Sequence, residues 1–259
     1  MSKWARFEAQ GMVCFGEVKT DANGTTLHQH EGDLFGEHRP NGRQFPLESV
    51  KLLAPCCPTK MPGLWNNFHE RAKVENLQRP EHPLYFLKTN SCFAGPGAHI
   101  PRPAGYAGQV VFEGELGVVI GKTCAGVSVE DAKNYIFGYT CVNDVTARDI
   151  MRRDPAFVQW TRAKGFENFG VFGPWIETDI DPQQLRVKVE LAGVEKQNYP
   201  VSDMFCSPYE IVSLLSQDMT LNAGDVIACG TSVGACAMRD GDQVDVIIEG
   251  VGILSNRFG

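Results

Sequence analysis

The hydrophobic pattern from about residue 108 to the end of the chain is mainly that of β-strands. Apolar runs of strand length, rich in Val, Ile and Leu, are separated by short segments containing Gly, Asp or Asn. Runs of this kind indicate strands that are buried on one or both faces. The five candidate strands have the sequences QVVFEGELGVVIG, YTCVNDVT, LRVKVELAG, DVIACG and QVDVIIEGVG.

The first hundred residues are patterned differently. Up to about residue 50, apolar positions alternate or cluster over shorter stretches, with the sequence DANG at 21–24 as a turn, which predicts short β-hairpins. Residues 59–107 are rich in Pro, Gly and Asn and weakly periodic, apart from one short helical candidate around 66–77. Such long irregular segments in a compact chain are usually functional or mobile.

Two helices are expected within the β-rich part, each opened by a serine. Ser128 is followed three residues later by the carboxylate of Asp131. Ser207 is followed by Pro208, a residue suited to the first helical position, and then by Glu210, which completes a capping box. The chain is therefore predicted to be α+β and mainly β, with a curled sheet or a barrel-like core.

A proline-rich stop at the end of LESVKLLAPCCP divides this pattern into two parts. We expect a small N-terminal β domain over 1–57 and a main domain over 58–259. A chain of 259 residues buries enough surface to need no disulfide staples.

Charge and composition restrict the partners and the compartment. The formal net charge of −7 argues against nucleic acid or an anionic membrane as the main partner, because both require a basic surface. The N-terminal sequence MSKWARFEAQ lacks the apolar run of a signal peptide, and no stretch is long enough to span a bilayer. Nine scattered cysteines without a C-x-x-C pair suggest free thiols in a reducing compartment. We therefore expect a cytoplasmic protein.

Paired acids within an apolar strand are the main candidate for chemistry. Glu113 and Glu115 are two residues apart and so point to the same face of a strand. Adjacent buried carboxylates repel each other unless a cation lies between them, although an exposed edge strand would explain the pair equally well. Asp144 ends another apolar strand. Three oxygen anions without a thiolate or imidazole suit a hard cation such as Mg²⁺, Mn²⁺ or Ca²⁺.

Several other polar residues have two interpretations each. Arg148 and Lys164 could point into a cleft, or they could be ordinary surface cations. The segment GTSVG at 230–234 could form an anion-accepting nest of backbone N–H groups, or it could be a plain turn. His69 is a candidate general base or a surface histidine on a short helix. His28 and His30 have strand spacing that could seat a metal, but we expect them to be exposed.

Many segments in the same order resemble the fumarylacetoacetate hydrolase superfamily, from about residue 47 to the C-terminus. In the entry segment, Gly63 and His69 keep the spacing that the family has between its glycine and its histidine. The resembling segments are LLAPCCPTKMPGLWNNFHE, FLKTNSCFAGPGAHIPRP, FEGELGVVIGK, GYTCVNDVTARDI, AKGFENFGVFGPW, LNAGDVIACGTSVG and GDQVDVIIEGVGILSNRF.

The resemblance implies a fold, a cofactor and roles for named residues. It implies a coiled β-roll catalytic domain over 58–259, with a mobile lid over 58–82, and a homodimer. Mg²⁺, or Mn²⁺ or Ca²⁺ in its place, would bind a small 2-oxo or enol acid substrate at the site. The implied metal ligands are Glu113, Glu115 and Asp144; the implied catalytic residues are His69 and Lys164; the implied substrate-binding residues are Arg148, Lys88 and Thr231.

Three positions depart from the family pattern. The family's hydrolases often pair the lid histidine with a glutamate three residues later, and here that residue is Ala72. A substrate-contacting glutamine of some hydrolases is replaced by Met151, and an aspartate of the lysine motif by Glu167. Glu70 or Glu75 could take over as the histidine's partner.

These departures favour reactions that need no activated water. We therefore predict an isomerase or decarboxylase of the 2-hydroxyhepta-2,4-diene-1,7-dioate type, acting in aromatic catabolism through a stabilised enolate. A C–C bond hydrolase of the fumarylacetoacetate or acylpyruvate type is the first alternative. It ranks second because hydrolysis needs an oriented general base, and the glutamate that usually pairs with the lid histidine is absent. A catalytically silent relative that binds metal and 2-oxo acid is the second.

Overall fold

The computed structural model describes residues 2–259, and β-strands dominate it. The strands form a 12-stranded mixed sheet, a five-stranded sheet and a two-stranded ribbon. The prediction of an α+β chain that is mainly β is confirmed.

The large sheet joins strands from both ends of the chain in the order β4-β3-β2-β1-β14-β12-β11-β17-β6-β7, with β5 beside β1 and β8 beside β14. Its strands are β1 (Lys3–Ala9), β2 (Met12–Asp21), β3 (Gly24–Gly32), β4 (His38–Pro46), β5 (Lys51–Leu52), β6 (Met61–Trp65), β7 (Leu84–Lys88), β8 (Phe93–Ala94), β11 (Gly114–Ile120), β12 (Ile136–Asp144), β14 (Gly170–Glu177) and β17 (Val226–Ala228).

The five-stranded sheet has the order β16-β15-β18-β19-β9, and β10 pairs with β13 in the ribbon. These strands are β9 (His99–Ile100), β10 (Val110–Val111), β13 (Thr146–Ala147), β15 (Arg186–Leu191), β16 (Val194–Pro200), β18 (Gln243–Ile248) and β19 (Gly252–Phe258).

Helices are few and short. They are α1 (His69–Glu75), α2 (Val129–Ala132), α3 (Arg148–Met151), α4 (Trp160–Lys164) and α5 (Pro208–Asp218), together with 3-10 turns at Leu47–Ser49, Asn90–Cys92, Pro182–Gln184 and Val201–Asp203. Both predicted serine caps are present: Ser128 accepts the Asp131 N–H, and Ser207 forms the full capping box with Glu210. Over residues 2–259, no helix has the length and apolar character that crossing a membrane would require.

The main core lies between the large sheet and the five-stranded sheet. Leu116 and Val118 of β11 belong to it together with Val187 and Val189 of β15. Val119, which points to the other face of β11, belongs to a second core on the opposite side of the large sheet. Strand β11 is therefore buried on both faces, which makes it a rigid support for the residues at its start.

The N-terminal strands β1 to β4 pack around a small core of their own, which includes Phe7, Leu27 and Phe45. Strand β1 also pairs with β14, through Lys3 opposite Glu177 and Trp4 opposite Ile176. The hydrogen-bonded ladder thus continues from the N-terminal strands into the rest of the chain. The domain boundary after residue 57 stays a prediction.

Three features differ from the sequence-based expectations. Strands β14 and β16 lie outside the five candidate strands. The weakly periodic segment contains an antiparallel hairpin of β6 and β7, and β6 joins the large sheet by parallel pairing of Gly63 with Ala228. His28 and His30 are half-buried and not exposed. His30 lies 3.0 Å from His38, Nδ1 to Nδ1, and packs edge-on against Trp4. Aromatic neighbours on the same sheet face cover it, which strand spacing alone does not show.

Candidate metal and substrate site

The antiparallel hairpin of β11 and β12 brings the three predicted metal ligands together. Gly114 at the start of β11 lies opposite Asn143 near the end of β12. Glu113 and Glu115 flank this glycine, and Asp144 follows Asn143. One carboxylate oxygen of each acid lies within 4.8 Å of the others. The three acids therefore converge as predicted, although they come from two neighbouring strands, and their role as metal ligands stays a prediction.

The peptide between the two glutamates is held by several hydrogen bonds. The Gly114 carbonyl oxygen accepts from the Thr231 hydroxyl at 2.9 Å and from the Tyr199 hydroxyl at 2.5 Å, and the Gly114 N–H donates to Gln197 Oε1 at 3.1 Å. A Cβ at this position would lie 2.2 Å from Val189 Cγ2, so glycine is required for the close approach of the two sheets. These contacts fix the direction of the neighbouring carboxylates.

Thr231 was predicted to bind substrate, and its hydroxyl also accepts from Gln197 Nε2 at 2.9 Å. In this structure Thr231 is buried behind the acids. Gln197 and Tyr199 were not predicted from the sequence. Their only signal is that they alternate with exposed residues along β16, which places a polar glutamine on the buried face.

Two buried lysines contact the acids. Lys164, the last residue of α4, donates to Glu113 Oε2 at 2.6 Å, to Asp144 Oδ2 at 2.5 Å and to Thr146 Oγ1 at 2.6 Å. Lys88, the last residue of β7, donates to Asp144 Oδ1 at 2.5 Å. The structure therefore places both predicted cations at the acid cluster and excludes the surface interpretation of Lys164.

Burial and charge act on these groups in different directions. Burial raises the pKa of Glu115 well above its ordinary value, and the nearby carboxylates of Asp144 and Glu113 raise it further. Burial would also raise the pKa of Asp144, but Lys164 and Lys88 outweigh this effect and lower it. Burial would lower the pKa of Lys164, but Asp144 and Glu113 leave it above its ordinary value.

Glu115 is the acid that the lysines leave without a direct partner. Its Oε2 accepts the Gly230 N–H at 2.8 Å, so one N–H of the segment 230–234 is bonded to a carboxylate of the protein itself. A nest of several N–H groups at 230–234 stays a prediction. Across residues 2–259, no lysine or arginine nitrogen lies within 4.0 Å of the Glu115 carboxylate. A cation between Glu115 and the other two acids would relieve this repulsion.

The donor set fits a hard divalent cation. It consists of carboxylate oxygens, which Mg²⁺, Mn²⁺ and Ca²⁺ prefer. Ligand oxygens at about 2.0–2.6 Å from one ion lie at most roughly 4–5 Å apart, in agreement with the observed cluster. The three carboxylates could therefore hold such an ion without a change of fold.

A cleft of about 760 Å³ leads from solvent to Glu113. Three arginines line it, namely Arg71, Arg148 and Arg152, together with Thr146 beside the acids. Arg148, the first residue of α3, is exposed and lines the cleft, whereas Lys88 and Lys164 are buried. Glu75, Glu113 and Asp149 also line the cleft, and Arg71 is paired with the first two. Arg148 and Arg152 form no ion pair within residues 2–259, so these two cations could meet an anionic small molecule.

The first helix, which lies in the predicted lid, contributes a residue that the sequence did not reveal. Arg71 Nη1 lies 3.7 Å from Glu113 Oε1 and donates to the Thr231 carbonyl oxygen at 3.4 Å. Its Nε donates to Glu75 Oε1 at 3.0 Å. Glu75, one of the two suggested partners of His69, is therefore bound to Arg71.

His69 lies outside the acid cluster in this structure. It begins α1, is exposed, and its ring centroid is 4.2 Å from that of Phe205. Glu70, the other suggested partner, donates its backbone N–H to Asp203 Oδ2 at 3.1 Å. The role of His69 as a base stays a prediction, as do the substrate contacts of Arg148, Lys88 and Thr231.

Comparison with known proteins adds a family relationship to this geometry. A model of the fumarylacetoacetate (FAA) hydrolase C-terminal family matches residues 60–259, and a model of the Rv2993c-like N-terminal family matches residues 2–55. The chain is 35% identical over 256 residues to oxaloacetate tautomerase YisK of Bacillus subtilis (strain 168), which covers 88% of this chain and 84% of the relative.

Two solved structures are similar over almost the whole chain. The crystal structure of 2-hydroxyhepta-2,4-diene-1,7-dioate isomerase from Mycobacterium marinum has a TM-score of 0.89 and 36% sequence identity, covering 100% of this chain and 98% of that one. Maleylpyruvate hydrolase from Sphingobium sp. SYK-6, in complex with manganese(II) ion and pyruvate, has a TM-score of 0.79 and 25% identity, covering 99% and 98%.

Proposed function

Because the chain belongs to the fumarylacetoacetate hydrolase superfamily, we propose that it is a metal-dependent enzyme that stabilises the enolate of a small acid. The proposed substrate is a 2-oxo acid or a 2-hydroxydienoic acid, with or without a second carboxylate. The observation that carries this proposal is the convergence of Glu113, Glu115 and Asp144 within 4.8 Å, with Lys164 bonded to two of them.

The residues of the site would share the work as follows. Glu113, Glu115 and Asp144 would hold a divalent cation, which would supply Lewis acidity. Lys164 would place a fixed positive charge beside the substrate's developing negative charge, and Lys88 holds Asp144 in place. Arg148 attracts the substrate carboxylate into the cleft. We propose Mg²⁺ as the ion, with Mn²⁺ or Ca²⁺ as substitutes, and the manganese in the maleylpyruvate hydrolase structure supports this ligand chemistry.

We propose isomerisation, tautomerisation or decarboxylation as the reaction. In decarboxylation, CO₂ leaves the carbon next to the polarised carbonyl group and a proton from solvent takes its place. In isomerisation and tautomerisation, one atom loses a proton to solvent and another atom takes one up. None of the three needs a water molecule that is activated as a nucleophile. The exposed position of His69 and the pairing of Glu75 with Arg71 support this choice, because a hydrolase requires an oriented base. Similarity to a tautomerase and to a dienedioate isomerase agrees with it.

A C–C bond hydrolase is the second candidate. Similarity to maleylpyruvate hydrolase over almost the whole chain favours it. In that case His69 would have to move from its contact with Phe205 toward the cleft and deprotonate a water molecule. Replacement of His69 by alanine would then abolish hydrolysis, whereas it would spare decarboxylation, which needs no general base.

Parallel assays with Mg²⁺ and Mn²⁺ test the proposal. The substrates are oxaloacetate for tautomerisation and decarboxylation, 2-hydroxyhepta-2,4-diene-1,7-dioate for isomerisation, and acetylpyruvate for hydrolysis. We expect turnover of one of the first two, which falls about 100-fold or more in Glu115→Gln. Glu130→Gln, which alters an exposed glutamate of α2, is the matched control. Efficient hydrolysis of acetylpyruvate would favour the second candidate, and binding of all three acids without turnover would indicate a silent relative.

We also propose that the protein is a cytoplasmic homodimer that acts in aromatic catabolism. All nine cysteines are free, which agrees with a reducing compartment. The mass in solution, measured by light scattering after size-exclusion chromatography, tests the dimer.

A further inference from the structure

An apolar pocket adjoins the candidate active-site cleft. It has a volume of about 490 Å³, and Arg152 is its one charged lining residue. It is lined by Trp65, Pro83, Leu84, Tyr85, Phe86, Met151, Arg152, Val158 and Trp160. Trp65, Met151 and Arg152 also line the cleft that leads to Glu113, so the pocket and the cleft share a boundary. We call this pocket the apolar annex.

The aromatic wall of the apolar annex reaches the reacting centre. Phe86 stacks on Trp160, with ring centroids 5.3 Å apart and an interplanar angle of 5°. The Lys164 ammonium, which is bonded to Asp144 and Glu113, lies 4.8 Å from the Phe86 ring centroid. A Cβ on Gly63 would lie 2.5 Å from Phe86, so the glycine in β6 permits this ring position. One aromatic ring therefore separates the annex from the catalytic lysine.

The annex presents apolar surface to water. The residues Leu84 and Val158 are 41% and 43% exposed. Met151 at the shared boundary is a flexible thioether, which adapts to apolar groups of varied shape. Exposed apolar surface in a concave site gains free energy when a ligand removes it from water. The annex therefore suits an uncharged substituent better than a carboxylate.

We infer that the apolar annex binds an apolar tail on the substrate. This inference rests on the proposed function: the 2-oxo acid end lies at Glu113, Glu115 and Asp144, and the tail extends past Met151 toward Trp160. The preferred substrate class is then a 2-oxo or 2-hydroxydienoic acid that carries an aryl or alkyl group, and not a short dicarboxylate. Arg152 at the mouth is the feature that would favour a terminal carboxylate instead, and the test below separates these cases.

Calorimetric titration in the presence of Mn²⁺ tests the inference with four ligands. Oxalate occupies only the acid end, pyruvate adds a methyl group, 2-oxo-4-phenylbutanoate adds an aryl tail, and 2-oxoadipate adds a carboxylate tail. We expect the aryl ligand to bind about tenfold or more tightly than pyruvate. Equal affinities, or tightest binding of 2-oxoadipate, would overturn the inference. Failure of oxalate to bind with Mn²⁺ would instead contradict the proposed function itself.

Two substitutions place the effect in the annex. Val158→Asp puts a charge at an exposed position, which is compatible with folding, and should reduce the aryl-to-oxalate affinity ratio about tenfold. Met151→Gln should reduce this ratio in the same direction. Val129→Asp alters a valine of equal 43% exposure on α2 and should leave the ratio unchanged. If Val158→Asp altered the oligomeric state and left the ratio unchanged, a second copy of the chain would be the occupant, and the inference would be wrong.

Discussion

Arg71 connects the first helix to the acid cluster at the scale of single residues. Its guanidinium lies between Glu75 on its own helix and Glu113, which is a candidate metal ligand. The same group donates to the carbonyl oxygen of Thr231, which is buried behind the acids. The Arg71 side chain thus joins helix α1 to the charged groups of the site. A bound metal would compete with Arg71 for Glu113, and the arginine would then be free to face the substrate.

We predict that Arg71→Met raises KM for a 2-oxo acid substrate about tenfold and lowers kcat by a smaller factor. The reason is that the substitution removes a cation from the cleft wall but leaves the three carboxylates and Lys164 in place. Steady-state kinetics at saturating Mg²⁺ would measure the two effects separately. Lys73→Met removes an exposed cation from the same helix and serves as the control. Equal changes in both variants, or a loss confined to kcat, would contradict a substrate-binding role of Arg71.

The sequence identified the acids but not the groups that position them. Glu113, Glu115 and Asp144 interrupt apolar strands, and a charge in such a strand is visible without a structure. Arg71, Gln197 and Tyr199 have no such signal, because their partners lie up to 160 positions away in the chain. Long-range contacts of this kind depend on strand order, which local periodicity does not contain.

At the scale of elements, α5 is the helix with the clearest local signals. The Ser207 hydroxyl accepts the Glu210 N–H at 3.3 Å, and Glu210 Oε2 accepts the Ser207 N–H at 2.7 Å. Ile211, Val212 and Leu215 of this helix are fully buried in the main core. The cap therefore stabilises an element that packs against the sheet carrying the acids.

We predict that Ser207→Ala lowers the free energy of unfolding by about 1 kcal/mol. The Glu210 N–H loses the Ser207 hydroxyl as its acceptor, whereas the backbone N–H at position 207 keeps its bond to Glu210 Oε2. Urea denaturation with and without metal would measure the change. Ser128→Ala removes the cap of α2, which has four residues, and should cost less. A larger loss in Ser128→Ala would show that cap chemistry does not determine the difference.

Strands β6 and β7, which were not predicted, show why local sequence patterns fail for some elements. Strands β11, β12, β15, β17 and β18 were recognised because their segments are rich in apolar residues, whereas β14 and β16 were not among the candidates. Strands β6 and β7 contain Pro, Gly and Lys, and β7 has exposed residues on the edge of the sheet. The two segments are strands because they pair with each other and because β6 also pairs with the distant β17. Tertiary pairing overrides weak local propensity in such segments.

At the scale of the whole molecule, the site exists only when the chain is folded. Its charged groups come from positions 88, 113, 115, 144 and 164, and the N–H that holds Glu115 comes from Gly230. These positions belong to strands and a helix that are separated by long stretches of chain. The unfolded chain does not hold the carboxylates of Glu113, Glu115 and Asp144 within 4.8 Å of each other, and so a metal ion should bind the folded state almost exclusively.

This selectivity predicts that divalent metal raises the thermal stability of the protein. At a free metal concentration of about 100 times Kd, the stabilisation is about 2.7 kcal/mol. Thermal unfolding measured with Mg²⁺, with Mn²⁺ and with EDTA should therefore show a rise in Tm that increases with metal concentration. Of the three acids, Glu115 is the one without a lysine partner, and Glu115→Gln should abolish most of this rise in Tm. The same substitution should raise the Tm of the metal-free protein, because it replaces a buried carboxylate with a raised pKa by a neutral amide. An equal metal-dependent rise in this variant would mean that the ion binds elsewhere, for example at exposed acids, and the proposed reaction would lose its centre.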